Sequence, residues 1–358
     1  MNIYHGKNVL VTGGTGFVGS HLVEELIKLG AHVVTTYEYI DPKSYFITKG
    51  LDKNTVMAKV DIRNFDAVFD LVTKLNTEFI FHLAAQAIVE TAYYNPRWTL
   101  ESNINGTINI VESGRLFPKV KAIIVASSDK AYGKLCKKMY METDALCGDH
   151  PYDVSKSATD LIAHSYFVTY GLPVVTTRFG NIYGEGDLNM SRIIPGIMNT
   201  IINKNVLELR SNGKFVRDYL YVKDVVAGYL LLAEKIEEAK GEAYNFGSEE
   251  NLSVIDLIKE IEKALNLKIP YKILNTAKNE IPNQALDCKK IKALGWKQKQ
   301  MIKDTMQSIL LWYKSYLKGE ISFPIKNNIN QPTEKEDKIV KTQFTMSSPK
   351  IIYLAPRQ

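Results

Sequence analysis

The sequence predicts an α/β protein: a doubly wound parallel sheet with a smaller, mixed α/β unit in its C-terminal half. Three observations carry that prediction. The glycine-spaced run VTGGTGFVG (11–19) stands between an apolar stretch and an amphipathic one near the start of the chain. Up to residue 180, short apolar runs alternate with longer helical patterns at the spacing of βαβ units. Beyond 180 the alternation gives way to loop-rich segments with scattered helices. The first region is therefore of Rossmann type.

The elements follow in order. KNVLVTG (7–13) is continuously apolar and reads as the first strand, and GSHLVEELIKLG (19–30) as a helix ended by glycine. AHVVTTY (31–37) and TVMAKVDI (55–62) are β-branched strands, with the helix DAVFDLVTKL (66–75) after them. FIFHLAA (79–85) is a fourth strand and 99–117 a long helix. KAIIVASS (121–128) is a fifth strand, 152–171 a second long helix, and PVVTTRFG (173–180) a sixth strand. Strands apolar on both faces argue a sheet covered on both sides. Helices are expected over 191–203, 224–239 and 253–265, with EAYNFG (242–247) as a strand returning to the main sheet. The expected division is a dinucleotide-binding unit over 1–180 with 218–247 returning to it. A second unit takes 181–217 and 248–318, and a polar tail takes 319–358. The tail ends in the apolar IIYLAP (351–356), which has its own domain, a partner or nothing to dock on.

Composition narrows the class. The 358 residues are 45% apolar, with no run near the ~20 residues that span a bilayer. The first residues lead into a strand without an apolar leader, and three scattered cysteines (Cys136, Cys147, Cys288) form neither a disulfide framework nor metal spacing. A cytoplasmic protein without metal is expected. The net charge of +6 is spread among interleaved acids and bases, so no nucleic-acid stripe is visible, and an anionic ligand is compatible.

The motifs are sharper. Gly13, Gly16 and Gly19 allow a tight turn and close approach of backbone to a pyrophosphate. Phe17 and Val18 between these glycines are placed on the cofactor side, and the helix that follows turns its free N–H groups to it. The second strand ends in Thr36 and Tyr37, with Glu38 one step late and no arginine adjacent, which favours NAD over its 2′-phosphorylated form. Asp61 is a candidate for the adenine amino group or an ordinary turn acid; Ile62 and Ala84 are placed on the same cofactor side. In YDVSK, Tyr152 and Lys156 lie four apart on one helix face, so the ammonium can favour phenolate. VASSDKAYG (125–133) ends a strand with Ser128, Asp129 and Lys130 together.

The combination G-x-x-G-x-x-G, HLAA (82–85), S-S-D-K-x-Y and Y-x-x-x-K resembles the extended short-chain dehydrogenase/reductase family, over about residues 6–318. The acid after Ser128 is similar to the nucleotide-sugar 4,6-dehydratases, and the Asp-Lys version to their CDP-glucose 4,6-dehydratase branch. HLAAQ (82–86), RIIPGI (192–197) and LDCKKIKALGW (286–296) point the same way. The resemblance implies bound NAD, with Tyr152 taking the proton of the sugar 4-hydroxyl. It also implies that Ser128 bonds that oxygen and that Asp129 protonates the departing 6-hydroxyl. Lys130 either removes the carbon-5 proton as a neutral amine or stays charged and stabilises the enolate. Asn181 and Arg217 match positions that contact the nucleotide diphosphate, Arg192 is a further candidate, and Gln86 and Glu90 line the cleft. Asp224 is expected to cap its helix. The resemblance also implies a homodimer through the two long helices. The nucleotide and the hexose stay open, because 134–150 lacks the tryptophan-rich stretch common in CDP-type enzymes. A 4-epimerase, a reductase or a non-catalytic nucleotide-binding protein are the alternatives.

Overall fold

The computed structural model describes residues 2–135, 137–276, 283–319 and 351–352. The main sheet is parallel and contains β1 (Asn8–Thr12), β2 (His32–Tyr37), β3 (Val56–Lys59), β4 (Phe79–His82), β5 (Ala122–Ala126) and β6 (Val174–Phe179). The smaller strands β7 (Asn181–Tyr183), β8 (Leu207–Leu209) and β9 (Val216–Tyr221) come next along the chain. β10 (Ala243–Phe246) returns to the main sheet beside β6 and is followed by β11 (Asn251–Ser253), β12 (Tyr271–Ile273) and β13 (Asn283–Gln284). Ile351–Ile352, β14, pairs parallel with Met57 and Ala58 of β3, so part of the apolar terminus lies on the chain's own sheet edge. The rest of the expected tail lies outside the described residues.

The spatial order is β10-β6-β5-β4-β1-β2-β3-β14. The order reverses between β1 and β4, and a doubly wound sheet opens its ligand crevice at that reversal. Strands β4 and β6 are buried at every residue, including His82 of β4 and Thr176, Thr177 and Arg178 of β6. Two apolar cores cover the two faces, one around Val9, Leu26, Phe81 and Tyr229, the other around Leu10, Val72, Ile110 and Ile123.

A third core gathers Ile197, Met198, Leu257, Ile261, Met306 and Tyr313 beside the strands β11-β9-β13. Its helix Ile302–Lys318 is absent from the expected elements, although Ile302, Met306, Ile309 and Tyr313 fall on one face of it. The expected helix 224–239 is two pieces, Val222–Glu234 and Ile236–Ala239, and the long helix before β5 contains a π turn at Glu101–Asn105. Asp224 does not cap its own helix. Its carboxylate accepts the backbone N–H groups of Lys299 and Gln300 and so ties a distant loop to that helix.

One buried polar network joins this scaffold to the end of β5. Arg178 of β6 donates Nε and Nη2 to the two carboxylate oxygens of Asp160, each at 2.8 Å, and both side chains are 5% exposed. Its Nη1 donates to the Tyr132 hydroxyl at 2.7 Å, and that hydroxyl donates to Asn245 Oδ1 at 2.7 Å. A buried pair of this kind is costly to break from one side, because the remaining charge is left without a partner. Asp160→Asn is therefore expected to destabilise the fold by about 3–5 kcal/mol, read as a lower denaturant midpoint at unchanged slope.

Candidate active site

The site forms where β5 stops. Ser128 continues in extended backbone, and its hydroxyl accepts the N–H of Lys130 at 3.2 Å, capping a short 3₁₀ turn, Asp129–Tyr132. Tyr132 roots that turn in the Arg178 network. The chain then reverses at Gly133, whose φ of +61° suits glycine; a Cβ there would also meet the Cys147 carbonyl oxygen at 1.8 Å. The returning loop leads into the helix Pro151–Tyr170, with proline at its first position.

That helix is pinned to the strand end by polar contacts. Lys156 Nζ donates to the Ala126 carbonyl at 2.7 Å, Ser127 Oγ to the Lys156 carbonyl at 3.1 Å, and Ser157 Oγ to the Ala131 carbonyl at 2.8 Å. From the other side, Asn103 in the π turn donates to Ser155 Oγ and to the Gln86 carbonyl, and accepts the Gln86 N–H. The irregular turn thus places one amide against two elements of the site.

Tyr152 and Lys156 open into one cleft of about 1530 Å³ with Ser128, Asp129 and Lys130. Asp129 is almost fully buried and Lys130 partly so. Lys130 Nζ lies 3.3 Å from each Asp129 carboxylate oxygen and donates to Gln284 Oε1 at 2.6 Å. Asp129 Oδ1 also accepts from Ser128 Oγ at 3.0 Å. Burial lowers the Lys156 ammonium to about 8, with Asp160 opposing. The expected depression of the Tyr152 phenol is not what the protein alone supplies. Burial pushes it up to about 12, a hydrogen bond with Ser128 opposes this, and Asp129 adds to it. Desolvation outweighs the neighbouring hydroxyl.

At the other end of the cleft lie the glycine turn and the end of β2. A Cβ on Gly13 would sit 2.9 Å from Ala84 N, and one on Gly19 2.2 Å from the Gly13 carbonyl oxygen, so the turn needs hydrogen side chains to pack. Gly13, Gly16, Phe17, Val18, Gly19, Ile62 and Ala84 line the cleft, with Thr36, Tyr37 and Glu38 beside them. Asp61 is not among the lining residues. Arg63 holds its carboxylate through contacts of 2.7–3.1 Å and keeps it below the usual aspartate range, so its geometry is that of an ion-paired turn acid.

The other substrate candidates also reach the cleft: Gln86, Glu90, Asn181, Arg192 and Arg217. Gln86 already uses both ends of its amide, donating to the Ile88 carbonyl and accepting from Thr99. Arg192 donates Nη1 to both oxygens of buried Asp187 at 3.1 Å. Sequence reasoning missed Gln284, 154 residues from the lysine it contacts, and Arg210, which lines the cleft from the end of β8. It also missed Asp153, although that acid stands inside the quoted YDVSK. Among the described residues no group of histidine, cysteine and acidic side chains could hold a metal, and no helix is long and apolar enough to cross a membrane.

With this geometry in hand, comparison with known proteins is informative. Residues 10–309 match the family model described as GDP-mannose 4,6 dehydratase. The chain belongs to this family. Within it, the CDP-glucose 4,6-dehydratase of Salmonella typhimurium is 29% identical over 340 residues, covering 89% of this chain and 94% of that one. A UDP-glucose 4-epimerase from Thermotoga maritima, solved with UDP-glucose, superposes with a TM-score of 0.78 at 27% identity, covering 87% and 99% of the two chains. A dTDP-glucose 4,6-dehydratase from Streptomyces venezuelae, solved with NAD, gives 0.77 at 24% identity over 86% and 97%, a likeness of fold. The proteins this chain resembles thus include both dehydratases and an epimerase.

Beneath the site, Asp218 accepts the N–H groups of Ser248 and Leu286, and burial raises its carboxyl to about 7, with Asp129 adding to the rise. The unfolded chain releases that proton near pH 3.9, so between there and neutrality the native state holds the extra proton. The contribution of Asp218 to stability therefore falls as pH rises from about 4 to about 7. Denaturation at several pH values is expected to show this fall, and Asp218→Asn to flatten it.

Proposed function

We propose that this protein is an NAD-dependent nucleotide-sugar 4,6-dehydratase, acting on CDP-glucose or a similar nucleoside diphosphate hexose. The reading rests on one observation. The Asp129–Lys130 ion pair opens into the same cleft as Tyr152 and Lys156. Oxidation at carbon 4 needs only the serine, tyrosine and lysine; an acid–base couple beside them is what loss of water from carbons 5 and 6 requires. A 4-epimerase has no use for it.

The glycine turn fits a dinucleotide, since Gly13 and Gly19 leave no room for side chains and the first turn of the helix Phe17–Lys28 faces the cleft. When bound there, NAD supplies the hydride acceptor and, after elimination, the hydride donor. Tyr152 takes the 4-hydroxyl proton while Ser128 bonds the same oxygen. Lys156, fixed on the Ala126 carbonyl, holds its positive charge near the phenol. Lys130 lies between two acceptors, Asp129 and Gln284, an arrangement suited to a charged ammonium that stabilises the enolate. Arg192, Arg210 and Arg217 give the far end of the cleft the positive charge that a diphosphate needs. Exposed apolar side chains on the long helices, among them Ile108, Leu161 and Val168, support pairing with a second copy.

Incubation with NAD and CDP-, GDP-, UDP- or dTDP-glucose tests the reading. A 4-keto-6-deoxy product that has lost one water, with no net reduction of cofactor, is expected; a 4-epimer or a stoichiometric reduction contradicts it. Tyr152→Phe is expected to lower kcat by about 10²–10⁴-fold. Asp129→Asn is expected to lower product formation comparably while leaving sugar oxidation visible as transiently reduced cofactor.

A further inference from the structure

Gln284 reaches the cleft with half of its amide unused. It is 1% exposed and lines the cleft from β13. Its Oε1 accepts from Lys130 Nζ at 2.6 Å. An ammonium only donates, so this contact turns the amide oxygen to Lys130 and leaves the NH₂ group on the other branch. That Nε2 is buried and has no hydrogen-bond partner among the described residues. Four buried side-chain atoms among them lack a partner, and only this one belongs to a residue that lines the cleft. Buried donors are ordinarily paired, so one left open beside a cleft is a place for a ligand's acceptor.

The backbone that carries this amide is tied down. β13 runs parallel to β9 with Gln284 opposite Arg217, which also lines the cleft. One residue on, the Ala285 carbonyl accepts the Tyr140 N–H at 2.8 Å, and Asp287 donates its own N–H to the Tyr140 carbonyl at 2.8 Å. Between them Leu286 donates its N–H to Asp218 at 2.9 Å. Gln284 thus touches Lys130 on one side and neighbours Arg217 across the strand pair. Asp129 already balances the Lys130 charge, so a neutral oxygen suits this place better than a second anion.

We infer that Gln284 is a substrate-binding residue that donates Nε2–H to the 6-hydroxyl of the hexose. The inference rests on the dehydratase reading, which puts carbons 5 and 6 of the sugar against Asp129 and Lys130. The oxygen on carbon 5 closes the ring, so the free hydroxyl of that edge is the one on carbon 6. A hydroxyl oxygen has two lone pairs, and donation from Gln284 leaves one for the proton that its departure requires. Once that oxygen has left as water, Nε2 is unpaired again. A site built to bond a hydroxyl holds the sugar that lacks it less tightly.

The test reads binding rather than turnover. Full-length wild type, Gln284→Met and Gln284→Leu are loaded with NADH, which leaves the sugar unoxidised. Each is titrated by calorimetry with CDP-glucose and with CDP-6-deoxyglucose. Should the wild type convert GDP-, UDP- or dTDP-glucose instead, that nucleotide replaces CDP in both ligands. Wild type is expected to bind the glucose form about tenfold more tightly. In Gln284→Met the preference is expected to fall to about twofold or less, with affinity for the 6-deoxy sugar within about threefold of wild type. Gln284→Leu gives the same reading with a different packing of the site. A residue that merely holds Lys130 in place would lower kcat in the variants and leave the preference intact, and that result overturns the inference. So does a wild type that converts the glucose form yet binds both sugars equally. A wild type that converts none of the CDP-, GDP-, UDP- and dTDP-glucoses overturns the dehydratase reading, and this inference with it.

Discussion

The site depends on how a buried ammonium is satisfied. Lys156 is 5% exposed, so its charge must be met inside the protein, and the Ala126 carbonyl at the end of β5 meets it at 2.7 Å. That contact, with those of Ser127, Ser157 and Asn103, fixes the helix Pro151–Tyr170 in rotation and in register against the strand. Tyr152, one turn earlier, is thereby aimed at Ser128. The reciprocal bond from Ser127 to the Lys156 carbonyl closes the joint. The side chains proposed to act on the sugar hang from this meeting of one strand end and one helix start.

The same joint explains the layout of charge. A strand buried on both faces leaves its last residues to carry the polar groups, so Ser127, Ser128, Asp129 and Lys130 crowd into the crevice where the sheet order reverses. The cleft walls exclude water from these groups, and desolvation therefore moves Lys156 down and Tyr152, Asp153 and Asp218 up. Lys156 and the two carboxyls, far apart in titration in water, are drawn towards one another here, while Tyr152 moves further from them. The Arg178–Asp160 pair anchors the turn from below through Tyr132.

Much of this was legible in the chain itself. Continuous apolar runs and helical periodicity made the parallel sheet and its crossovers legible, because its central strands are buried on both faces and its helices on one. The glycine turn, the serine-ended strand and Tyr-x-x-x-Lys are local, so their spacing carried their meaning. Contacts between distant segments were not legible. Nothing at Gln284 announces Lys130, and nothing at Lys299 announces Asp224. For Asp61 the sequence left two readings, an adenine partner or a turn acid, and its pairing with Arg63, two residues later, was visible only in the fold.

The central claim is that oxidation at carbon 4 and elimination across carbons 5 and 6 occur over one bound sugar. Supplying CDP-glucose deuterated at carbon 4 and locating the label in the product by NMR tests it most directly. Transfer of the deuterium to carbon 6 of the same molecule is the predicted result. Deuterium returned to carbon 4 with inverted configuration, or lost to free cofactor, would contradict the account.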